Sequence, residues 1–370
     1  MEDLTQILRH RREKLAQLEE AGVAPFAYDF DRTHTSVAAI EGFEAAESGE
    51  SLDDAGHGGS VRTAGRIVGW RGHGKSAFAH IEDGPGRLQL YFKKDVLGDE
   101  QFERLSLLDA GDWIGVWGPT FRTRTGEVSV RVDGYELLTK SLRPLPFAKR
   151  EKDAETGEVH TYSGFQDQEG RYRQRYADLA VHPEVREVFR VRTQIVRSLR
   201  EYLDGQQFLE VETPVLQPLY GGATARPFVT HYNALDAQFY LRIADELYLK
   251  RLIVGGFERV YEISKDFRNE GLSRFHNPEF TMLEFYQAFA DYNTMMDTVE
   301  ALLVHVADSV LGTRTLSFQG VEFSLDPPFA RLSLMNALSE AMGEDAMEAS
   351  DDRLRDKAKE LGLDDLLNAG

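Results

Sequence analysis

One stretch constrains the fold more than any other, residues 266–292, which read DFRNEGLSRFHNPEFTMLEFYQAFADY. Two β-rich ends flank a short polar loop, and this pattern predicts an antiparallel hairpin. Side chains two residues apart on a strand face the same way, so Glu284 and Tyr286 share one face. Arg268 and Glu270 lie over the same sheet surface if the first strand continues that far.

The residue types in this hairpin suit a particular kind of ligand. Arg268 presents a fixed fork of donors that fits a phosphate or a carboxylate, and a neighbouring carboxylate can accept from an amine. His276 and Asn277 in the loop can reach further phosphate oxygens, and Phe280 can stack on a flat heterocycle. The hairpin therefore indicates a site that holds a nucleotide beside an amino acid.

A surface hairpin with paired charges is the plainer alternative, and such pairs contribute little to stability. Against it, Glu284 lies inside the apolar run FTMLEFY, where a carboxylate needs a partner. Glu246 in RIADELYLK is a similar acid at a predicted helix start, where it could simply favour the helix dipole.

Composition narrows the class of protein. The 370 residues are enough for two domains or more. The net charge of −19 does not favour nucleic-acid binding in bulk, although local basic patches can still contact phosphates. No apolar run approaches a membrane span, no secretory segment opens the chain, and the absence of cysteine excludes disulfides and thiolate zinc sites. We expect a cytoplasmic protein with no membrane partner.

The first part of the chain changes character twice. Residues 1–43 are expected to form an N-terminal helical extension, with an amphipathic helix over 4–21 that Gly22 ends. Residues 44–60, rich in Gly, Ser and Asp, are interpreted as a linker or mobile loop. Residues 61–140 hold five short β-rich runs, which predict an OB-fold barrel.

An OB face binds single-stranded nucleic acid by stacking bases on aromatic side chains. Phe78 and Gln89 would be an aromatic group and an amide on neighbouring strands. Spacing alone slightly favours the alternative, in which Phe78 is a core residue and Gln89 an ordinary surface residue. Residues 141–184 are predicted to be a linker or hinge. Their RYRQRYADL segment could line an RNA-facing or interdomain surface, or equally form a salt-bridged hinge.

Residues 185–370 are predicted to form an α+β domain. A long amphipathic helix is expected over 185–204, followed by the strand FLEVETPVL, which Pro214 interrupts. Further strands at FYLRI and GFERVYEI alternate with a helix at DELYLKRLIVG. Helices are also predicted from 292 to about Leu311 and over 331–367.

Several of these segments resemble a known family. FLEVETPVL at 208–216 is similar to motif 1 of class II aminoacyl-tRNA synthetases, and FRNEGLSRFHNPEFTMLEFY at 267–286 is similar to motif 2. An OB barrel followed by an antiparallel-sheet catalytic domain resembles the lysine, aspartate and asparagine subgroup. The run from GGATARPF to GFERVYEI, together with RYRQRYADL, resembles lysyl-tRNA synthetases, and the similarity extends from about residue 4 to 330.

The resemblance implies a two-step reaction. L-Lysine and MgATP would give lysyl-adenylate and pyrophosphate, and the terminal ribose hydroxyl of tRNA(Lys) would then attack the adenylate. Arg268 would be the catalytic residue, because it would bridge the ATP α-phosphate and the lysine carboxylate. Motif 1 would build a homodimer interface, with Pro214 at its junction.

The resemblance also implies binding roles at matching positions. The implied ATP-binding residues are Arg268, Glu270, His276, Asn277 and Phe280. The implied lysine-binding residues are Gly222, Glu246, Arg268, Glu284 and Tyr286. The implied contacts to the uridine-rich anticodon are Arg66, Arg71, Phe78 and Gln89.

The chain departs from the family in one large respect. Motif 3, a glycine-rich strand and helix ending in an Asp-Arg pair, is not found in the sequence. The family's Mg²⁺ ligands and its acid for the lysine ε-ammonium belong to that part, so no metal ligand is expected in this chain. We therefore expect a C-terminally incomplete catalytic domain with little or no activity alone. A smaller departure is Asp245, where the family often has proline.

Two other functions remain open. One is a non-catalytic synthetase-like protein that binds tRNA through the barrel and dimerises through the remaining sheet. The other is a catalytic relative specific for aspartate or asparagine. The segments GGATARPF and RIADELYLK argue against this second alternative.

Overall fold

The computed structural model describes residues 2–147, 149–152, 159–162, 165–271, 273 and 275–362. The chain forms two compact units, residues 1–186 and residues 187–370. Among the described residues, no helix is both long enough and apolar enough to cross a bilayer.

Six strands of the first unit form a sheet that closes on itself. They are β1 (His57–His73), β2 (Ser76–Glu82), β3 (Arg87–Lys93), β4 (Trp113–Arg122), β5 (Val128–Val132) and β6 (Gly134–Thr139). The strand order is β1-β2-β3-β5-β4-β6, and β1 also pairs with β4, so five strands complete a ring. The small barrel predicted for 61–140 is therefore present, with β6 added beside β4.

Side-chain alternation separates the barrel interior from its outer face. On β2, Ala77, Ala79 and Ile81 are buried, whereas Phe78 between them is only half-buried. Gln89 on β3 is half-buried in the same alternation. Phe78 therefore lies on the outer face rather than in the core, contrary to the alternative that spacing slightly favoured.

Four helices accompany the barrel. They are α1 (Glu2–Glu20), α2 (Ser36–Ser48), α3 (Lys94–Leu97) and α4 (Asp99–Arg104). The first matches the predicted N-terminal helix, and the chain leaves it at Gly22, whose φ of 72° is left-handed. Arg11, only 8% exposed, donates to the carbonyl groups of Ser141 and Ala110 and so ties α1 to the barrel.

Helix α2 corrects the interpretation of residues 44–60 as a linker. The helix continues to Ser48 and β1 begins at His57, so only a short connection separates them. Thr35 begins the helix, because its Oγ1 accepts from the amide of Ala38 at 3.1 Å. Phe43, only 2% exposed, gives the helix its buried face.

The connector 141–184 contains secondary structure that the linker prediction did not include. Its described parts hold β7 (Lys149–Lys152), β8 (Val159–Tyr162), α5 (Gln168–Arg173) and α6 (Arg175–Val181). Residues 148, 153–158 and 163–164 lie outside the described residues.

The RYRQRYADL segment is organised around one buried acid, Asp178. Arg171 donates to it from Nε at 2.6 Å, His182 Nδ1 lies 2.8 Å from its Oδ1, and Arg175 also pairs with it. Burial alone would raise the pKa of Asp178, but the hydrogen bonds from Arg171 and His182 lower it. Of the two alternatives left open, these contacts favour the salt-bridged hinge.

From residue 183 onward helices alternate with short sheets, as the α+β prediction requires. The elements are α7 (Pro183–Gly205), β9 (Leu209–Glu210), β10 (Leu216–Gln217), β11 (Val229–Tyr232), β12 (Ala237–Leu241), α8 (Glu246–Val254), β13 (Arg259–Phe267), β14 (Glu279–Gln287), α9 (Tyr292–Val306), β15 (Thr315–Phe318), β16 (Val321–Ser324), α10 (Leu334–Met342) and α11 (Asp351–Glu360). Strand β13 pairs antiparallel with β14 and parallel with β9. Strand β12 lies between β10 and β11.

The C-terminal part matches the prediction incompletely. Helix α9 continues as a π-helix through residues 307–311, close to the predicted end. The predicted helical segment 331–367 is two helices, α10 and α11, and its last residues, 363–367, lie outside the described residues. The β15–β16 hairpin was not predicted.

Candidate functional site

The β13–β14 hairpin gives the second unit two different surfaces. Its register pairs Glu262 with Glu284 and Val260 with Tyr286, so these four side chains share one face. The opposite face belongs to the core, where Tyr261 is fully buried and packs with residues of α7 and α9. The predicted antiparallel hairpin is therefore present, with one face free to carry polar groups.

Arg268 lies directly after the end of β13. Its amide donates to the carbonyl of Pro278 at 2.9 Å, which extends the ladder by one step. Its guanidinium carbon lies 5.1 Å from the centre of the Phe280 ring, and Nε lies 3.4 Å from the carbonyl oxygen of Ile243. The terminal nitrogens Nη1 and Nη2 donate to no residue that the structure describes, so they can bind an anionic group.

Three of the predicted ATP-binding residues lie on the loop that connects the two strands. Strand β13 ends at Phe267, so Glu270 does not share a strand face with Arg268. Glu270, His276 and Asn277 are all exposed, and Nδ1 of His276 lies 2.7 Å from the hydroxyl of Ser273. The structure thus brings Arg268 and Phe280 together and leaves the other three on an exposed loop.

Glu284 has the partners that its apolar surroundings require. One carboxylate oxygen accepts from the amide of Asp245 at 3.2 Å, and the other accepts from the hydroxyl of Tyr286 at 3.2 Å. Burial and the neighbouring Glu284 charge raise the pKa of Tyr286, so its phenol keeps its proton. The partners are a backbone amide and a phenol, and the negative charge of Glu284 remains available to a cation.

Gly222 and Glu246 are also brought together. Gly222 has a φ of +90°, and a Cβ there would lie 2.8 Å from Cβ of Glu246 and 3.1 Å from Cβ of Ala244. A side chain at this position would therefore be strained and would displace Glu246. Glu246 is the first residue of α8 and pairs with Lys250 at 2.6 Å, so both interpretations of this acid fit its position.

A buried polar cluster that the sequence prediction missed surrounds Arg242. This guanidinium, only 4% exposed, lies 2.7 Å from Glu262, 3.2 Å from Asp245 and 3.4 Å from Asp266. The hydroxyl of Ser264 donates to Asp245 at 2.6 Å. The signal was present in the strand EISKDF, where polar residues alternate and so share one face.

Two acids of this cluster, Asp245 and Asp266, have raised pKa values. Burial, together with the neighbouring Asp266 charge, raises the pKa of Asp245 to about 7, although a hydrogen bond from Ser264 lowers it. Burial likewise raises the pKa of Asp266, while Arg242 lowers it. Both carboxyl groups are fully buried, so their negative charges cannot be solvated by water and the protonated forms are favoured.

The first unit presents an aromatic surface on the outside of the barrel. The rings of Phe78 and Tyr91 stack at 4.7 Å, and Tyr91 lies 5.8 Å from Phe121. Arg71 is exposed and pairs across the strands with Phe78. Such a row of rings beside a cation fits the stacking of single-stranded bases. Tyr91 and Phe121 were missed, although Tyr91 is two residues from Gln89 on the same strand.

Gln89 is held beside these rings by polar neighbours. Its amide nitrogen donates to Glu127 at 2.6 Å and its amide oxygen accepts from Ser129 at 2.8 Å. Arg66 does not join this group. It pairs with Glu82 at the other end of β2, and its guanidinium carbon lies 5.1 Å from the Trp113 ring.

Two protein-family models match this chain. Residues 167–361 match the family of class II tRNA synthetases (D, K and N), and residues 61–138 match the OB-fold nucleic acid binding domain, which confirms the predicted OB fold.

Curated relatives cover nearly the whole chain. The lysine–tRNA ligase of Carboxydothermus hydrogenoformans is 49% identical over 98% of this chain and 70% of its own length. Those of Pelotomaculum thermopropionicum and Halalkalibacterium halodurans are each 49% identical, over 93% and 96% of this chain, which spans 63% and 68% of their lengths. The chain therefore belongs to the lysine–tRNA ligase family of class II aminoacyl-tRNA synthetases.

Proposed function

We propose that the protein carrying this chain attaches L-lysine to tRNA(Lys) through a lysyl-adenylate, with MgATP as the second substrate. One observation carries the proposal. Arg268, whose terminal nitrogens donate to none of the described residues, follows the same strand whose face bears acidic groups, so an anion-binding group adjoins a surface suited to ammonium groups.

In the proposed first step, Arg268 bridges the ATP α-phosphate and the lysine carboxylate. It would neutralise the charge that develops when the carboxylate attacks phosphorus, and it would align the two reacting groups. Phe280 would stack on adenine, Glu270 would accept from the adenine amino group, and His276 with Asn277 would hold the outer phosphates. No side chain forms a covalent intermediate in this scheme.

The lysine α-ammonium would lie against Glu246, Glu284 and the backbone at Gly222. The close approach of Gly222 to Glu246 supports this cradle, because only glycine leaves room there. Tyr286 would point towards the ε-ammonium end. Its phenol already donates to Glu284, so a carboxylate held in this way is oriented before the substrate arrives.

The barrel would bind the anticodon of tRNA(Lys). Phe78, Arg71 and Gln89 occupy neighbouring positions on the aromatic face, and each is accessible to a single-stranded base. Arg66, at the far end of β2, would contact the RNA only at a separate point. Since tRNA charging serves translation, we place the protein in the cytoplasm.

The catalytic proposal is tested by replacing Arg268 with alanine in the protein that carries this chain. Loss of a preorganised charge donor of this kind typically costs about 10²–10³ in rate. We expect a loss of that size in lysine-dependent ATP–pyrophosphate exchange. Arg355→Ala, an exposed arginine on α11, is the control and should have no effect.

Three results would contradict the proposal. One is unchanged exchange in Arg268→Ala, and another is exchange that depends on aspartate or asparagine instead of lysine. The third is no exchange with any amino acid by a protein that still binds tRNA, which would favour the non-catalytic alternative.

We also propose that the protein is a homodimer. Apolar side chains of α7 and of the segment after it are exposed: Val188 by 65%, Leu209 by 47%, Leu216 by 50% and Leu219 by 70%. Exposed large apolar side chains of this kind often mark an interface, and the segment that resembles the family's motif 1 contains two of them.

The dimer is tested with Leu216→Asp combined with Leu219→Asp. A buried charge without a partner should weaken the interface, so light scattering coupled to gel filtration should show a dimer for the parent and a monomer for the variant. The exposed leucine Leu361 provides the matched control as Leu361→Asp, which should remain dimeric. A monomeric parent protein would rule out the proposal.

A further inference from the structure

The outer face of the barrel carries a polar pair, His80 and Gln89, beside its stacked rings. Phe78 on β2 lies opposite Tyr91 on β3, and the next two residues that face each other on the same surface are His80 and Gln89. The burial patterns of the two strands agree, because both members of the polar pair are half-buried between buried neighbours. A base that stacks on the rings would therefore extend towards the polar pair.

The carboxylate of Glu127 bridges the two members of the polar pair. Nε2 of His80 lies 2.9 Å from Oε1 of Glu127, and the amide nitrogen of Gln89 donates to Oε2 at 2.6 Å. An ionised carboxylate only accepts, so a neutral His80 ring must carry its proton on Nε2. The two donor nitrogens lie only 3.4 Å apart, and neither accepts from the other in this arrangement. Glu127 thus satisfies two donors that would otherwise face each other.

This bridge fixes the orientation of the Gln89 amide. The amide oxygen accepts from the hydroxyl of Ser129 at 2.8 Å while the nitrogen faces Glu127, so turning the amide over would place two acceptors together. His80 is well placed to act on Gln89 through Glu127, because its own side chain is only 15% exposed, whereas that of Glu127 is 47% exposed.

We propose that His80 is a positioning residue of the anticodon site, which holds Glu127 and thereby Gln89, and that a proton on His80 strengthens RNA binding. The proposal rests on the tRNA-binding function proposed above and deepens it. Phe78 and Gln89 touch the RNA in this scheme, whereas His80 acts through its neighbours.

The charged groups around His80 set the direction of the proton dependence. They are Glu127 before β5, Arg87 on β3 and Arg71 on β1, and the residue opposite His80 on β1 is the uncharged Gly69. Burial lowers the pKa of His80, the hydrogen bond to Glu127 raises it, and the two arginines lower it. The ring is therefore neutral in most molecules at neutral pH. A proton gained at lower pH would add positive charge beside a polyanion, so the affinity for RNA should rise as the pH falls.

The first test compares the affinities of variants for the anticodon stem-loop of tRNA(Lys), in the protein that carries this chain. Fluorescence anisotropy at fixed salt and about pH 7.5, where the ring is neutral, gives the dissociation constants. His80→Ala should weaken binding by at least about threefold, since residues in one hydrogen-bond network are energetically coupled. His80→Gln can place its amide nitrogen near the position of Nε2, so it should restore the parent's affinity at this pH.

A double-mutant cycle shows whether His80 acts through Glu127. In a Glu127→Gln background the carboxylate that His80 holds is gone, so His80→Ala should no longer weaken binding. An equal loss in both backgrounds would show that His80 contributes by packing or by its own contact with RNA, and this result would overturn the proposal.

The pH profile is a readout that a purely structural role would not change. Lowering the pH from about 7.5 to about 5.5 should tighten binding by the parent at least about twofold, but not binding by His80→Gln, which takes up no proton in this range. His10→Ala, which replaces an exposed histidine of α1, is the matched control and should follow the parent. If His80→Gln keeps the full response, the proton belongs to another group, such as His57 beside Phe121, and the proposal fails.

Failure of this proposal can be told apart from failure of the proposed function. A parent protein that does not bind the stem-loop would contradict both. A parent that binds it, together with His80 variants of unchanged affinity and unchanged pH profile, would contradict only the role of His80. Circular dichroism checks that each variant folds, and if His80→Ala does not, the pH profile of His80→Gln still decides.

Discussion

The carboxyl group of Asp245 is fully buried. Its pKa is raised from 3.8 to about 7, first by burial and then by the nearby charge of Asp266. The folded chain therefore holds a proton that the unfolded chain releases. This group favours the folded state at low pH, and its contribution is lost as the pH rises through about 7.

Asp245→Asn should remove this pH dependence. We expect the variant's free energy of unfolding to exceed that of the parent at about pH 8, by at most about 4 kcal/mol, and to approach it only near about pH 4, close to the ordinary pKa of an aspartate. Urea unfolding at the two pH values measures the difference. Asp352→Asn, an exposed acid on α11, is the control. An equal gap at both pH values would show that Asp245 is ionised in both states.

The role of a single residue could be predicted where the residue type does not suit its neighbours in the sequence. Glu284 lies inside an apolar run, which predicts that its carboxylate needs partners. The structure supplies them as the amide of Asp245 and the hydroxyl of Tyr286. Asp245 and Asp266 lie in ordinary-looking polar segments, so their burial depends on contacts made far along the chain. Arg242, the cation they share, is separated from Asp266 by most of α8 and β13, and no local pattern links them.

At the scale of elements, the outer face of the barrel separates function from packing. Interior positions on β2 and β3 belong to the core of the first unit, whereas Phe78 and Tyr91 stack outside it. Removing a ring from this face should therefore weaken RNA binding without opening a cavity in the core.

Phe78→Ala should weaken binding of the anticodon stem-loop of tRNA(Lys) by about 1–3 kcal/mol, the usual contribution of one stacked base. Fluorescence anisotropy at fixed salt measures the dissociation constant, and fixed salt matters because phosphate contacts are screened. Tyr28→Ala, another exposed ring of the same unit, is the control. Equal affinity of the Phe78 variant and the parent would remove this face from the anticodon site.

Helices and strands with a strong periodicity of apolar residues could be predicted from the sequence. Helix α2 and the β15–β16 hairpin have weak periodicity and were missed. Helix α2 has few large apolar residues, and its end falls in a Gly- and Ser-rich stretch, so composition suggested a linker. The β15–β16 hairpin has a recognisable signal in hindsight, since Gln319 and Gly320 both adopt positive φ, as tight hairpin turns require. Its strands of four residues are too short for alternation to reveal them.

For the molecule as a whole, the two units have separate hydrophobic cores. The proposed anticodon face belongs to the first unit and the proposed lysine site to the second. Phe78→Ala should accordingly leave lysine-dependent pyrophosphate exchange unchanged, because that step requires no tRNA. The overall charge of −19 says little about either site, since each depends on a few local groups.

The register in which β13 pairs with β14 links correct folding of the second unit to its ability to bind a ligand. If β13 shifted by one residue against β14, its own two faces would exchange, moving Tyr261 to the site and Glu262 into the core. A chain with β13 in the wrong register would therefore lose Tyr261 from its core and displace Arg268, which directly follows the strand. A chain that binds substrate has then also paired these two strands correctly, and chains in the shifted register should be degraded faster by proteases.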